Sequence, residues 1–239
     1  MAGSAVKTGA HTYSTAIESA DNYTRWILSG FRPFFGRSLL EVGLGHGGYR
    51  QFLPPDLDYL GVDIDPDSVA RAQTRNPEDV YLVADITDPH LTARLSSRVI
   101  DTVLCVNVLE HIERDEAAVE SMLSMLTPGG HLLILVPAFA ALYSGLDRMA
   151  GHVRRYTLAD VPRLVCRNGL VVRQHYFNAV GGLGWWINKA MRHSNLDSDA
   201  VNSQIRLFDR YVVPIARAVD PVTRRFFGQS MICVIRRTS

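Results

Sequence analysis

Short apolar runs bounded by Gly, Pro and Asp alternate with segments of helical periodicity, and that rhythm can be buried only as a parallel sheet with helices on both faces. Residues 38–42, 59–62, 80–84, 100–106 and 131–136 are too short for stable helices, and several are rich in β-branched side chains, so they read as strands. Helices are expected between them over 47–52, 67–75, 90–96 and 114–126, with Pro66 opening one and Pro128-Gly129-Gly130 turning the chain after another. A further helix over 158–168 stops at Gly169, and strands follow over 170–176 and 230–236. The pattern is that of an α/β, doubly wound chain.

Two stretches break the rhythm. Residues 1–37, with Tyr13, Tyr23, Trp26 and Phe31, look like helices laid over the sheet before the first strand. Residues 177–226 separate the last two strands by far more than an ordinary connection, and apolar periodicity around 183–191 and 205–219 makes them a helical cap. The expected organisation is an N-terminal helical lid over 1–37, a ligand-binding α/β domain from 38–176 and 227–239, and the cap over 177–226. With 47% apolar and 21% charged residues, 239 residues suffice for one substantial core with appendages. A formal net charge of +1 disfavours nucleic acid as the main partner. Cys105, Cys166 and Cys233 lack metal-ligand spacing and read as reduced thiols of a cytoplasmic protein. No leader pattern and no window of spanning length is seen, so neither secretion nor a membrane span is expected.

The first strand runs straight into Gly43-Leu-Gly45-His-Gly47-Gly48, where glycines let the backbone turn sharply and approach a ligand. By itself the run also satisfies the dinucleotide fingerprint through Gly43, Gly45 and Gly48, or serves as a tight connection with no ligand. The second strand ends at Asp63, a carboxylate placed to accept both hydroxyl hydrogens of an adenosine ribose. Asp65 points the other way and is expected to cap the helix that starts near Pro66. The third strand ends in Ala84-Asp85-Ile86, an acceptor for an adenine amine beside a side chain for the ring, or merely a turn.

Taken together, Glu41-Val-Gly43-Leu-Gly45-His-Gly47, Gly61-Val-Asp63, Ala84-Asp-Ile86 and Cys105-Val-Asn-Val-Leu-Glu-His-Ile112 resemble the class I S-adenosylmethionine-dependent methyltransferase family over residues 38–136. The resemblance implies a Rossmann-like, doubly wound sheet of seven strands with the last antiparallel, and residues 230–236 stand where that strand belongs. It implies S-adenosylmethionine as cofactor and S-adenosylhomocysteine as product. Glu41, Gly43, Gly45 and Gly47 would contact the methionine part, Asp63 the ribose with Ile64 beside it, and Asp85 and Ile86 the adenine. Asn107, Val108 and Leu109 would close the pocket near the sulfonium.

Methyl transfer from a sulfonium is an in-line displacement, so such a protein mainly positions the acceptor in a dry pocket and removes a proton when needed. His111 is a candidate base, its alternative task being to support the pocket or the next helix. The run Gly151-His152-Val-Arg154-Arg155-Tyr156-Thr157 resembles one in a small bacterial methyltransferase subgroup and adds His152 and Tyr156 as catalytic candidates. Arg154 and Arg155 could bind an anionic acceptor, or pair with surface carboxylates while Thr157 caps the helix ahead. Tyr13, Tyr23 and Trp26 from the lid, and His175 and Asn178 from the end of the sixth strand, complete the acceptor side. Trp185 and Trp186 suit a lid, a dimer surface or a peripheral membrane contact, with a lid or core packing preferred. No metal site is expected, because no cluster has ligand spacing along the chain. The expected function is methyl transfer to an O, N or C atom of a small natural-product, sugar or lipid-linked acceptor by a monomer or homodimer. An NAD(P)-dependent oxidoreductase and a non-catalytic cofactor-binding protein are the alternatives.

Overall fold

The computed structural model describes residues 20–45, 47–165, 168–188, 203 and 205–238. Tyr13, Cys166 and the end of the helix expected over 183–191 lie outside the described residues. Seven strands form one sheet: β1 (Ser38–Val42), β2 (Asp58–Asp63), β3 (Val80–Val83), β4 (Thr102–Val106), β5 (His131–Pro137), β6 (Gly169–Phe177) and β7 (Ser230–Arg237). Their order is β3-β2-β1-β4-β5-β7-β6. β7 runs antiparallel to both β5 and β6, whereas β1 to β5 are mutually parallel neighbours. This is the doubly wound arrangement with an antiparallel last strand that the sequence pattern and the resemblance imply. The strand order reverses between β1 and β4, and a ligand crevice opens outside the carboxyl ends of the strands at such a point.

Every residue of β1 is buried, as a central strand covered on both faces requires. Leu40 and Val42 face one core with Leu91 and Met122, while Leu39 faces the other with Trp26 and Phe31. Asp65 caps α2 (Pro66–Arg75), its side chain accepting the N–H groups of Asp67 and Ser68. Asp88 caps α3 (Pro89–Leu95) through the His90 N–H, and α4 (Asp115–Met125) returns the chain to β5.

Two expectations are corrected. Residues 47–52 form only a 3-10 turn, Arg50–Phe52, because glycines at one end and Pro54-Pro55 at the other leave too little chain for an α-helix. The helix expected over 158–168 shrinks to a 3-10 turn, Leu158–Asp160, and α6 (Val161–Leu164), whose second residue is Pro162. Conversely α5 (Gly145–Ala150) has no apolar period to announce it; a reciprocal capping box between Ser144 and Asp147 starts it.

Helix α1 (Asp21–Phe31) lies against the sheet with Trp26, Ile27, Leu28 and Phe31 buried, Trp26 resting 4.2 Å from the Phe177 ring. Its own sequence offers no side-chain cap. The cap comes from the far end of the chain: Asp209, in a π-helical turn Phe208–Val212, accepts the backbone N–H of Asn22 at 3.2 Å and of Tyr23 at 2.8 Å. Helices α7 (Ala179–Asn188) and α8 (Val213–Thr223) complete the described part of the segment between β6 and β7. Asp209→Ala is expected to lower stability by about 1 kcal/mol, the usual worth of an N-cap, as read by urea unfolding; Asp209→Asn should retain most of it. Among the described residues no helix is long and apolar enough to cross a membrane.

Candidate active site

At the carboxyl end of β1 the chain turns with positive φ at Gly43 (72°), Gly45 (53°) and Gly47 (72°). A Cβ on Gly43 would stand 2.2 Å from Val108 Cγ2, so this turn and the segment after β4 touch only because the side chain is missing. A Cβ on Gly45 would meet nothing within 4 Å, so that backbone faces open space. Asp63, 9% exposed at the end of β2, closes over the turn: Oδ2 accepts the Gly45 N–H and Oδ1 the Asp65 N–H, each at 2.9 Å. An ionised carboxylate has about four acceptor sites, so the backbone contacts do not exhaust it and capacity remains for a ligand hydroxyl. Burial raises the Asp63 carboxyl, with the backbone hydrogen bonds of Asp65 and Gly45 pulling against it.

Glu41 is buried in β1, and its Oε2 accepts the Tyr59 hydroxyl at 2.6 Å. Burial pushes its carboxyl up to about 8, so it is largely neutral at pH 7. Asp85 is exposed and takes both the N–H and the hydroxyl of Thr87 at 2.8 Å, while Ile86 is packed in the core and Ile64 is half-exposed. Leu109 is fully buried and Val108 partly so.

Asn107, Phe139 and Asn178, following β4, β5 and β6, all adopt positive φ, at 53°, 59° and 62°. Asparagine takes this region readily, phenylalanine does not. Phe139 is held there by the Tyr176 ring at 4.5 Å, the Phe227 ring at 5.2 Å and a hydrogen bond from its N–H to the Tyr156 carbonyl at 2.8 Å. The strain therefore gathers along one edge of the sheet, the edge that carries the glycine turn.

On the same edge the 3-10 turn Leu109–His111 meets the loop after α5. The rings of His111 and His152 stand 4.8 Å apart, nearly perpendicular. His152 Nδ1 lies 2.9 Å from Asp147 Oδ1, and that carboxylate is also held by Arg155 through Nε at 2.9 Å and Nη2 at 3.2 Å and by the Ser144 N–H at 2.8 Å. Burial works against the charge on Asp147, but hydrogen bonds from His152 and Arg155 outweigh it and hold the carboxyl at about 2. The other ring nitrogen, Nε2, faces Glu110 Oε1, 3.9 Å away. Glu110 is fully buried, and among the described residues neither carboxylate oxygen has a hydrogen-bond partner. Burial, with the charge of His152, lowers His111 to about 4, so its imidazole is neutral at pH 7.

The arginines and tyrosine of residues 151–157 serve the scaffold, which corrects the expectation of an anion clamp. Arg154 Nη1 lies 2.6 Å from Asp115 Oδ2, and Arg155, only 2% exposed at its side chain, is bound to Asp147 and to the Ala138 carbonyl. Tyr156 is 1% exposed, its hydroxyl 3.0 Å from both the Leu109 carbonyl and Asp115 Oδ2. It reaches no acceptor, but it fixes the turn that presents Glu110 and His111. Sequence reasoning missed Asp115 and Asp147, the buried carboxylates that consume these guanidinium groups; the Ser144-x-x-Asp147 capping spacing was the available signal.

Burial opposes charge on Asp115, but Arg163, Arg154 and Tyr156 hold it below the usual carboxylate range. A depressed folded value stabilises above the unfolded value of about 3.9, and the gain is lost as pH falls. Asp115→Asn is therefore expected to flatten the fall in unfolding midpoint between about pH 5 and 2, as followed by circular dichroism.

Tyr23 packs against Trp26, Phe177 and Phe208, and its phenol, raised by burial, bonds towards Asn178 and Ser230. Asn178 is fully buried and structural as well, binding Asp220, Gln229 and Gly181. His175 is held to about 4 by burial and by the charges of Arg224 and Arg173.

Residues 40–134 match the family model of a methyltransferase domain. An uncharacterized methyltransferase of Mycobacterium tuberculosis is 33% identical over 130 residues, 53% of this chain and 64% of that protein, so the match spans less than two thirds of the relative. An uncharacterized methyltransferase of Mycobacterium bovis is 26% identical over 222 residues, 88% of this chain and 80% of its own. The N-methyltransferase NodS of Bradyrhizobium japonicum, solved with S-adenosyl-L-homocysteine, superposes with a TM-score of 0.53 at 16% identity over 95% of this chain and 89% of that one. Residues 40–134 thus match a methyltransferase domain, in a chain whose fold is that of the class I S-adenosylmethionine-dependent methyltransferases.

Proposed function

We propose that the chain is an S-adenosylmethionine-dependent methyltransferase acting on a small-molecule acceptor. The observation that carries this reading is the glycine turn beside Asp63: an open backbone at Gly45 and a buried carboxylate with acceptor sites to spare. Gly43, Gly45 and Gly47 would lie along the methionine part, with Glu41 beneath the turn, Asp63 on the ribose and Ile64 beside it. Asp85 and Ile86 would bound the adenine, and Asn107 to Leu109 the sulfonium. When bound there, S-adenosylmethionine supplies an activated methyl group for in-line displacement. NodS with its bound S-adenosyl-L-homocysteine supports the same ligand here.

The acceptor reading rests on the same edge of the sheet. Tyr23 and Trp26 on α1 pack in the core and would bound the acceptor side only from beneath, and His111, half-buried and neutral at pH 7, stands next to the segment that packs on Gly43. A neutral imidazole can take a proton from an acceptor that approaches the methyl group from this side. The pairing of Arg154 and Arg155 with carboxylates favours an uncharged acceptor over an anionic one.

Calorimetric titration with S-adenosylhomocysteine and NADH tests the cofactor reading: binding of the first is expected, and tight NADH binding with no response to the homocysteine compound would overturn it. For the acceptor side, His111→Ala is expected to lower turnover of a screened acceptor about 100-fold while S-adenosylhomocysteine affinity holds. Unchanged turnover would remove His111 from the reaction.

A further inference from the structure

We propose that Glu110, His111 and His152 form a divalent metal site of the two-histidine, one-carboxylate kind, taking a first-row transition ion such as Mn2+, Fe2+, Co2+ or Zn2+. One ligand atom from each residue lies within 4.8 Å of the others, and His152 Nε2 and Glu110 Oε1 are 3.9 Å apart. Bonds of about 2.0–2.2 Å ask for ligand separations of roughly 3–4 Å, so rotation of the side chains by less than about 1 Å closes the site.

An independent observation points into the same space. Glu110 is 0% exposed with two oxygens that no donor among the described residues satisfies, and a buried group of that kind requires an explanation. A bare carboxylate costs several kcal/mol to bury, and a divalent cation beside it would offset that cost.

The surroundings of the two histidines fit the same assignment. A metal-bound histidine donates its other ring N–H to a carboxylate or a backbone carbonyl, which fixes its tautomer. His152 gives Nδ1 to Asp147, which is itself anchored by Arg155 and Ser144, and His111 is hydrogen-bonded to the backbone of Gly151. His152 is thus left with Nε2 facing Glu110, and one ring nitrogen of His111 lies within 4.8 Å of both partners' ligand atoms. The side chain of His152 is 16% exposed, which leaves an approach from solvent. Two imidazoles and one carboxylate leave coordination positions open, as catalytic rather than structural sites do.

For the function the proposal rests on the methyltransferase reading: the open positions would hold a hydroxyl of the acceptor. The metal lowers that hydroxyl's pKa so that its proton passes to water. The oxygen lone pair then forms the O–C bond as the C–S bond breaks, and that electron pair remains on sulfur. A metal-bound His111 has no free lone pair, so the ion replaces the imidazole as the means of activating the acceptor. The substrate class becomes hydroxyl-bearing, and a vicinal diol or catechol would chelate best.

The test uses the full chain stripped with a chelator and dialysed, then titrated with Co2+, Mn2+ and Zn2+, with elemental analysis for stoichiometry. One equivalent is expected, with visible d–d bands for Co2+ and a raised unfolding temperature. Glu110→Gln, nearly isosteric, should weaken binding at least 100-fold, Asp147→Asn about 10- to 100-fold, and His175→Ala not at all. Wild-type protein that takes up none of these ions below millimolar concentration overturns the site, as does Glu110→Gln with wild-type affinity. If Glu110→Gln does not fold, the cobalt bands of the wild type and their loss in His152→Ala decide. S-adenosylhomocysteine binding, measured on the same preparation, separates the two readings: metal uptake without it retains the site and removes the methyltransferase, and the reverse retains the enzyme and removes the site.

Discussion

Asp63→Ala is expected to lower affinity for S-adenosylhomocysteine by at least about 100-fold, with the fold intact. Two charge-assisted hydrogen bonds to ribose hydroxyls contribute about 1.5–3 kcal/mol each, and about 2.8 kcal/mol corresponds to a factor of 100. The variant also frees the Gly45 and Asp65 N–H groups that Asp63 now accepts, so the turn loses its anchor along with the ligand. Asp63→Asn, which keeps an acceptor oxygen but not the charge, should lose less, about 10-fold. Calorimetry reads both, with thermal melting as the check on folding. Unaltered affinity in Asp63→Ala would mean that the ribose lies elsewhere.

Asp147→Ala should be among the most destabilising single changes in the chain, by about 3–5 kcal/mol in urea unfolding. The carboxylate neutralises Arg155, whose side chain is 2% exposed, and its removal leaves a buried guanidinium without its counter-charge. It also orients His152 and caps α5 through Ser144. Replacing both partners, Asp147→Leu with Arg155→Met, is expected to recover most of the stability, because the cost lies in breaking the pair rather than in lacking it. The double variant would still leave His152 without its orienting carboxylate. Stability and metal uptake should therefore separate in it.

The sheet was legible because its central strands β1, β4 and β5 are short apolar-rich runs buried on both faces and bounded by Gly, Pro or Asp. Asp65 as a cap was legible from the Pro66 that opens the helix after it, and Asp63 from its place at the end of the second strand. Short helices were not legible. The six residues of α5 depend on a capping box rather than on periodicity, and the turn Arg50–Phe52 stops where prolines come next. The fate of Arg154 and Arg155 was hidden because their partners, Asp115 and Asp147, look in sequence like ordinary acids at the start of helices. The cluster of Glu110, His111 and His152 was hidden for a topological reason. Val106 pairs with Leu135, so the segment leaving β4 comes to lie beside the segment leaving β5, and the spacing of ligands along the chain carries no trace of it.

The carboxylate of Asp209 that seats the first turn of α1 comes from 187 residues further along the chain. Neither partner can leave its place without exposing the other's unsatisfied groups, so the N-terminal helix and the turn at 208–212 share a single latch. Amide exchange in both should report one common opening free energy, and an acceptor that draws Tyr23 and Trp26 inward would steady residues near the opposite terminus by the same amount.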